Sequence, residues 1–288
     1  MKTIFIYPCE FGNINKVDVD YETEKMIADK NGIQNIMFNY DAYMTMGEKL
    51  KISDTNISIE ENTIAVYRGW MMKPEQYTKF YNDLLNLYNI KLINTPYEYE
   101  STHCFNIAYD RLQDYTPKIA VFSEDEVKYI EWDEVKQYFK RRFIIKDYVK
   151  SVKGFDFPAY LDYTYTTEQL DKLVSKFIEL RGDLYTGGII LKEYVELDNN
   201  GGKTHEFRAF YYKGRLINLY HNSNNHEDKK EEAIKFAQSI PRLNSNFYTV
   251  DFALTKSGNI IVLECGDGQV SGIESSVDDI ECIYNRFI

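Results

Sequence analysis

The sequence predicts an α/β protein whose C-terminal half turns to α+β, and two patterns carry that prediction. In the first 116 residues short apolar strands alternate with helical stretches, the mark of an α/β layer on a mostly parallel sheet. Further on, paired strands closed by tight polar turns take over, at Thr204–Tyr220 and again at Phe247–Gly272. A length of 288 residues suits about two domains with a real core. The division falls near Thr116-Pro117.

Thr3 to Tyr7 is an apolar strand, and the stretch after Asp18 reads as a helix closed by Asn31-Gly32. Ile36–Phe38 and Ile64–Tyr67 are further strands. Pro74 opens a helix whose Tyr77, Phe80, Tyr81, Leu84 and Tyr88 form one apolar stripe. Lys91–Ile93 is a strand, followed by helix around His103 to Tyr115. Lys118–Val121 and Phe143–Lys146 are strands, and the latter runs into a loop bearing Lys150, Lys153 and Gly154. Thr166 and Gln169 form a capping box for a helix to Leu180, stopped by Gly182. Gly188–Glu196 is a buried strand, and Asp198–Lys203 a polar, glycine-containing loop. Thr204–Tyr212 and Arg215–Tyr220 pair around Lys213-Gly214, and Asp228–Ser239 is a charged helix. The final hairpin turns at Thr255–Asn259, with Gly258 supplying the turn chemistry.

Composition excludes several classes. A net charge of −11 argues against nonspecific binding to nucleic acid or an anionic membrane. No apolar run approaches the ~18 residues of a membrane span. The opening MKTIFIYPCEFG is a first strand rather than a signal peptide. Cys9, Cys104, Cys265 and Cys282 are scattered, without metal spacing, and read as reduced thiols of a cytoplasmic protein. His103, His205, His221 and His226 form no zinc pattern, the last two lying in a polar stretch, HNSNNH. Neither GxxxxGK[ST] nor GxGxxG is present, so the P-loop and dinucleotide-fold readings fall away, and no HRD-type kinase loop is found.

The chemistry-bearing residues lie on strands. With the last turn closed on Lys256 to Asn259, Asp251 falls opposite Glu264, their Cβ atoms about 4.5–5.5 Å apart. Simple alternation puts Glu264 on a face with Ile260 and Val262, and Cys265 with Ile261 and Leu263. Facing carboxylates repel unless something positive lies between them, and Mg²⁺, which takes oxygen ligands and retains substrate phosphates, answers that need. The other reading is one buried acid bonded to backbone and one exposed acid. Lys146 follows Ile144 on one face of its strand; Lys192 stands inside an apolar strand, on a face with Tyr194 and Glu196. Such a lysine must meet a carboxylate, a phosphate or water. Arg208 shares a face with Glu206. Arg68, in YRGWM at a strand's carboxyl end, is placed either for a ligand or in a structural ion pair. Cations from separate strands around a carboxylate-held metal are what a triphosphate needs.

Lys146 before a flexible loop, the strand and hinge LKEYVEL, the EFRAF strand and the closing Asp…Glu hairpin together resemble the ATP-grasp fold. YRGWM, KDYVKS and LECGDGQVSG are similar to the R2K clade of that superfamily, family 3. The resemblance spans nearly the whole chain. It implies a pre-ATP-grasp-like domain at 1–116 and an ATP-grasp domain at 117–288, made of α+β subdomains 117–195 and 196–288. It also implies ATP and Mg²⁺. Lys146 and Lys192 would contact the α- and β-phosphates, and Glu193, Tyr194 and Val195 would meet adenine through backbone groups. Glu196 or Asp198 would lie near the ribose. Arg208 would face the γ-phosphate or an acyl phosphate, so Arg208 and Lys192 are the catalytic candidates. Asp251 and Glu264 would hold the metal. Gly266 stands where many members carry Asn, which leaves Asp267 as the substitute ligand. Lys150 is either a phosphate ligand or a loop charge, and Arg68 and Trp70 are the substrate-side candidates. Cys265 reads as inert packing. The implied activity joins a carboxylate to an amine or thiol, peptides and proteins included. An ATP-binding assembly factor without turnover and a small-molecule kinase are the alternatives.

Overall fold

The computed structural model describes residues 3–53, 63–152, 154, 157–200, 203–221, 229–273 and 276–288. Its first sheet contains β1 (Thr3–Glu10), β2 (Asn13–Val17), β3 (Asn35–Phe38), β4 (Ile64–Tyr67) and β5 (Lys91–Leu92), with α1 (Glu22–Lys30), α2 (Tyr40–Met44) and α3 (Pro74–Tyr88) between them. β3 and β4 flank β1 in parallel, β5 extends β4, and β2 folds back antiparallel onto the end of β1. The two-residue period of β1 splits its side chains between two cores. Ile4 and Ile6 pack with the α3 stripe of Tyr77, Phe80 and Leu84, whereas Phe5 and Tyr7 pack against Ile27 of α1 and residues from the C-terminus. Both faces are covered, as a parallel sheet requires.

The helical region near His103 is two helices, α4 (Pro96–His103) and α5 (Phe105–Leu112), separated by an extended Cys104. The start of α4 has a signal that periodicity missed: Thr95 and Glu98 cap each other's backbone, with Pro96 at the first helical position.

A second sheet follows. β6 (Ile119–Ser123), β7 (Arg142–Asp147), β8 (Leu161–Asp162) and β9 (Gly188–Glu193) lie in the order β6-β9-β7-β8, with α6 (Trp132–Phe139) and α7 (Thr167–Arg181) on one face. The Thr166–Gln169 capping box is formed as the sequence predicts. α6 has no counterpart in the sequence reading. β9 stops at Glu193, three residues early, because the chain there crosses to the third sheet: Leu197 bridges to Thr255 and Asp198 N–H reaches Leu254 O.

The third sheet follows two short segments, β10 (Asn199–Asn200) and β11 (Lys203–Thr204). It contains β12 (Glu206–Tyr212), β13 (Arg215–His221), β14 (Phe247–Leu254) and β15 (Ile260–Asp267), antiparallel in the order β13-β12-β14-β15. α8 (Lys230–Ser239) and α5 cover one face of it, and α9 (Val277–Tyr284) joins the core of the first sheet. Lys153, Gly201, Gly202, His226 and Asp228 lie outside the described residues. No helix among the described residues is long and apolar enough to cross a membrane.

Asn94, fully buried, fastens the first sheet to the third. Its Nδ2 donates to Phe247 O at 2.7 Å and Asp267 Oδ2 at 2.5 Å, and its Oδ1 accepts from Asn246 N at 3.0 Å and Phe247 N at 3.1 Å. Asn94→Ala would leave these buried groups unpaired. The expected loss is at least about 2 kcal/mol in urea unfolding, against a change within about 0.5 kcal/mol for the surface variant Lys172→Ala.

Candidate active site

A cleft of ≈ 570 Å³ lies between the second and third sheets. On β7 and β9, Phe143, Ile145, Ile189 and Leu191 point to the helices α6 and α7, which leaves Ile144, Lys146 and Lys192 on the cleft side. Ile144 pairs with Lys192 and Lys146 with Ile190, so both lysines share one face. They are only 4% and 3% exposed, and their ammonium groups stand 5.1 and 4.3 Å from the centroid of the Phe105 ring. Lys150 joins them from the following turn, which Asp147 organises: its Oδ1 accepts the amides of Val149 (2.8 Å) and Lys150 (2.6 Å), and its Oδ2 takes Arg181 Nε at 2.7 Å. Glu193, Tyr194 and Val195 line one end of the cleft. Glu193 and Tyr194 amides bond to Lys118 O and Arg142 O, whereas the Val195 amide has no acceptor among the described residues.

The opposite wall depends on a β-bulge. Leu254 pairs with Ile260, Ala253 with Ile261 and Phe252 with Val262, but Asp251 pairs with Glu264, so Leu263 is the extra residue. The Asp251–Glu264 pairing is the expected one, but the alternation and the turn register behind it do not hold: a turn closed on Lys256 to Asn259 sets Thr255 opposite Ile260, whereas Leu254 pairs with Ile260 and the bulge makes up the residue. Strict period two would send Glu264 to the side of Val262, which lies in the core. The bulge instead puts Ile261, Leu263 and Glu264 in the cleft with Asp251, and returns Cys265 to the core beside Val262. Two carbonyls of the bulged strand turn to the other sheet, where Lys192 Nζ donates to Leu263 O at 2.6 Å and Val262 O at 3.3 Å.

The charges pair across the cleft. Arg208 grips Asp251 through two bonds, Nε to Oδ1 at 2.8 Å and Nη2 to Oδ2 at 2.7 Å. Glu264 meets Lys150 at 3.1 Å and Lys146 at 3.6 Å. Burial would raise the Glu264 carboxyl, but Lys146, Lys150 and Arg208 outweigh it and hold it at about 2. Burial, with help from Lys146, pushes the Lys192 ammonium well below its ordinary value. Burial also works against the Arg208 charge, and Asp251 reverses it, so Arg208 stays charged. Among the described residues no group of three or more His, Cys, Asp and Glu gathers to hold a metal. Asp251 and Glu264 supply ligand oxygens from directly paired positions on neighbouring strands. That set fits Mg²⁺ when phosphate and water oxygens complete its shell.

Other candidates sit elsewhere. Asp267 is fully buried behind the sheet, bonded to Asn94 and to Gln269 N at 2.9 Å, and faces neither Asp251 nor Glu264. Burial pushes its carboxyl up to about 7 against the bonds from Asn94 and Gln269. Arg68 resolves to an internal ion pair: 2% exposed, it reaches both Glu24 oxygens at 2.7 and 2.8 Å and Gly268 O at 2.6 Å. Trp70 packs edge-on against Tyr21 and Tyr40. Glu196 is on the outer rim, paired with Lys256 at 3.0 Å and Arg142 at 3.4 Å, and Asp198 contacts His205 Nδ1 at 2.7 Å while its neighbours Leu197 and Asn199 line the cleft. Glu206 also lines the cleft, and its place two residues before Arg208 was the signal for it.

Residues 132–286 match the family model of the ATP-grasp domain, R2K clade family 3. The chain belongs to that family. Solved ATP-grasp structures share the whole fold. A RimK domain protein ATP-grasp from Sphaerobacter thermophilus DSM 20745 is 11% identical with a TM-score of 0.59, covering 100% of this chain and 99% of its own. The D-cycloserine synthetase DcsG is 13% identical at 0.56, covering 99% and 100%. D-alanine–D-alanine ligase from Bacillus anthracis, complexed with ATP, is 14% identical at 0.56, covering 100% and 96%. No curated protein matches. At these identities the structures establish the fold, and the cleft of this R2K protein is where that fold's two antiparallel sheets meet.

Two outcomes follow from the buried charges. Glu24→Gln strands the Arg68 guanidinium, and unfolding free energy should fall by about 3–5 kcal/mol. Asp267 keeps its proton to about 7 when folded, while an ordinary carboxyl of 3.8 releases it earlier in the unfolded chain. The native state thus binds more protons in that window, and this group's stabilisation is lost as pH rises through it. Asp267→Asn cannot titrate. The stability difference between variant and wild type should shift toward the variant by up to about 1.4 kcal/mol per pH unit between about pH 4 and 7; a flat difference in pH-resolved urea melts would refute the assignment.

Proposed function

We propose that this R2K protein is an ATP- and Mg²⁺-dependent ligase that activates a carboxylate as an acyl phosphate and joins it to an amine or thiol. The observation that carries the reading is the convergence of Lys146, Lys150, Lys192 and Arg208 with Asp251 and Glu264 on one cleft. Residues 1–116 then form the pre-ATP-grasp-like domain, and 117–195 and 196–288 the two subdomains that clasp the nucleotide. At one end of the cleft the Val195 amide offers a donor for the adenine edge, with Glu193 and Tyr194 beside it. Asp198, or the rim residue Glu196, serves the ribose. Lys146 and Lys192 neutralise the inner phosphates, and Lys150 and Arg208 the terminal one.

A carboxylate oxygen attacks the γ-phosphorus, the bond to the β-phosphate oxygen breaks and ADP leaves. An amine or thiol then attacks the acyl carbon, losing a proton and expelling phosphate. Asp251 and Glu264 would hold Mg²⁺, which when bound would supply positive charge toward the transferring phosphoryl group. No protein nucleophile is needed, and Cys265, whose thiol burial pushes up to about 12, does not serve as one. A second reading, nucleotide binding without turnover in an assembly factor, draws on Gly266, where many ATP-grasp enzymes carry Asn.

Thermal shift tests the nucleotide site that both readings share, and ADP release separates them. ATP should raise the melting temperature in a Mg²⁺-dependent way that Lys192→Ala abolishes. Asp251→Asn and Glu264→Gln should each cut ADP release by roughly a hundredfold or more. Release that survives both substitutions overturns the site, and binding without ADP release under any acceptor favours the assembly factor.

A further inference from the structure

Behind Glu264 the cleft continues into a smaller chamber of ≈ 200 Å³, which shares Lys150, Arg208, Asp251 and Glu264 with it. Its far wall is built by His103 at the end of α4, Gly266 on β15, and the loop after β15. Two features mark it as a binding site.

His103 is 4% exposed, stacks on Tyr99 with centroids 4.7 Å apart, and lines the chamber. Neither ring nitrogen has a hydrogen-bond partner among the described residues. Burial, then the Lys150 charge, pushes this imidazole down to about 3, so at neutral pH it presents one N–H donor and one acceptor nitrogen. Neither nitrogen is among the buried polar atoms left without a partner, so the ring edge is open to the chamber, where a ligand's polar group can pair with it.

Gly266 lies against two other lining residues, Ser271 and Thr249, and a side chain there would press on both. A Cβ there would stand 3.1 Å from Ser271 Oγ and 3.3 Å from Thr249 Oγ1, the hydroxyls that bond each other at 2.8 Å. The volume falls below the about 300–1,000 Å³ of pockets for drug-sized ligands.

We propose that this chamber seats the carboxylate substrate and takes an acid of single-amino-acid size, its carboxylate toward Lys150 and Arg208 and a hydrogen-bonding tail toward His103. The inference rests on the reading of the cleft as the nucleotide site. It gives the glycine at 266 a purpose, since a side chain there would push Ser271 and Thr249, which both line the chamber, toward the tail. A free acid and the last residue of a peptide present the same chemistry to the chamber.

The test supplies ATP, Mg²⁺ and hydroxylamine, which attacks an acyl phosphate to give a hydroxamate and free phosphate. One arm offers free amino acids and small dicarboxylic acids; the other offers short peptides with free C-termini. Thermal shift with ATP runs in parallel. A subset of one arm should yield hydroxamate, and that arm identifies the source. For the acid so found, His103→Leu and Gly266→Val should raise KM roughly tenfold or more, with the KM of ATP changed less than about twofold. His103→Gln, which restores a donor and an acceptor, should recover much of the loss. Gly266→Ala repeats the test with a single methyl in case the valine variant does not fold. If ATP stabilises the wild type but neither arm yields hydroxamate, the chamber is not a small-acid site. The proposal also fails if His103→Leu and Gly266→Ala leave the acid's KM unchanged. Absence of any ATP-dependent shift overturns the nucleotide reading itself, and this inference with it.

Discussion

Lys192 stands in the middle of an apolar strand, and its ammonium is received not by its own sheet but by Leu263 and Val262 carbonyls on the edge strand of the next one. That contact is possible because Leu263 is an extra residue. Without the bulge the strand would keep strict alternation, Glu264 would turn toward the core beside Phe252 and Val262, and an unpaired carboxylate there would cost several kcal/mol. With it, one strand offers both carbonyls to Lys192 and a carboxylate to Lys146 and Lys150. The same shift returns Cys265 to the core, where its thiol meets Thr102 O at 3.2 Å. The union of the two sheets and the polarity of the cleft therefore share a single cause.

The apolar periods of the sequence carried most of the fold. The α3 stripe, the capping box of α7 and most strands of the three sheets were legible, because burial imposes a period of 3.6 on helices and two on strands. The bulge was not legible. Nothing in NIIVLECGD marks Leu263 as the unpaired residue, and its effect appears only when Phe252 and Asp251 are paired from both sides of it. Arg68 stayed open between a ligand and an ion pair for a different reason. The strand-end position was read correctly, but its partner Glu24 lies on α1, and its bonds to Gly268 O and Gln269 O come from the far end of the chain. Partners so remote in sequence leave no local signature. His103 was dismissed for lacking zinc spacing, a test blind to a lone imidazole facing a cavity.

The charges lining the cleft pair with one another. Three cations, Lys146, Lys150 and Arg208, meet two carboxylates, and Lys192 lies beside them with its ammonium disfavoured by burial. Left unpaired, charges this deeply buried would strain the fold, so the pairs are a condition of folding as much as of function. Under the proposed function, a triphosphate with its metal would change the partners. Phosphate oxygens would take the cations, the freed carboxylates would face a divalent ion, and the added negative charge would favour the protonated form of Lys192 again. Each group would exchange one counter-charge for another without being left alone in a low dielectric. Differential binding of that kind would favour the nucleotide together with its metal over either by itself, because phosphate alone would leave Asp251 and Glu264 unpaired and metal alone would leave the cations repelling it. The pairings that let the cleft fold would then also make the nucleotide and the metal depend on each other.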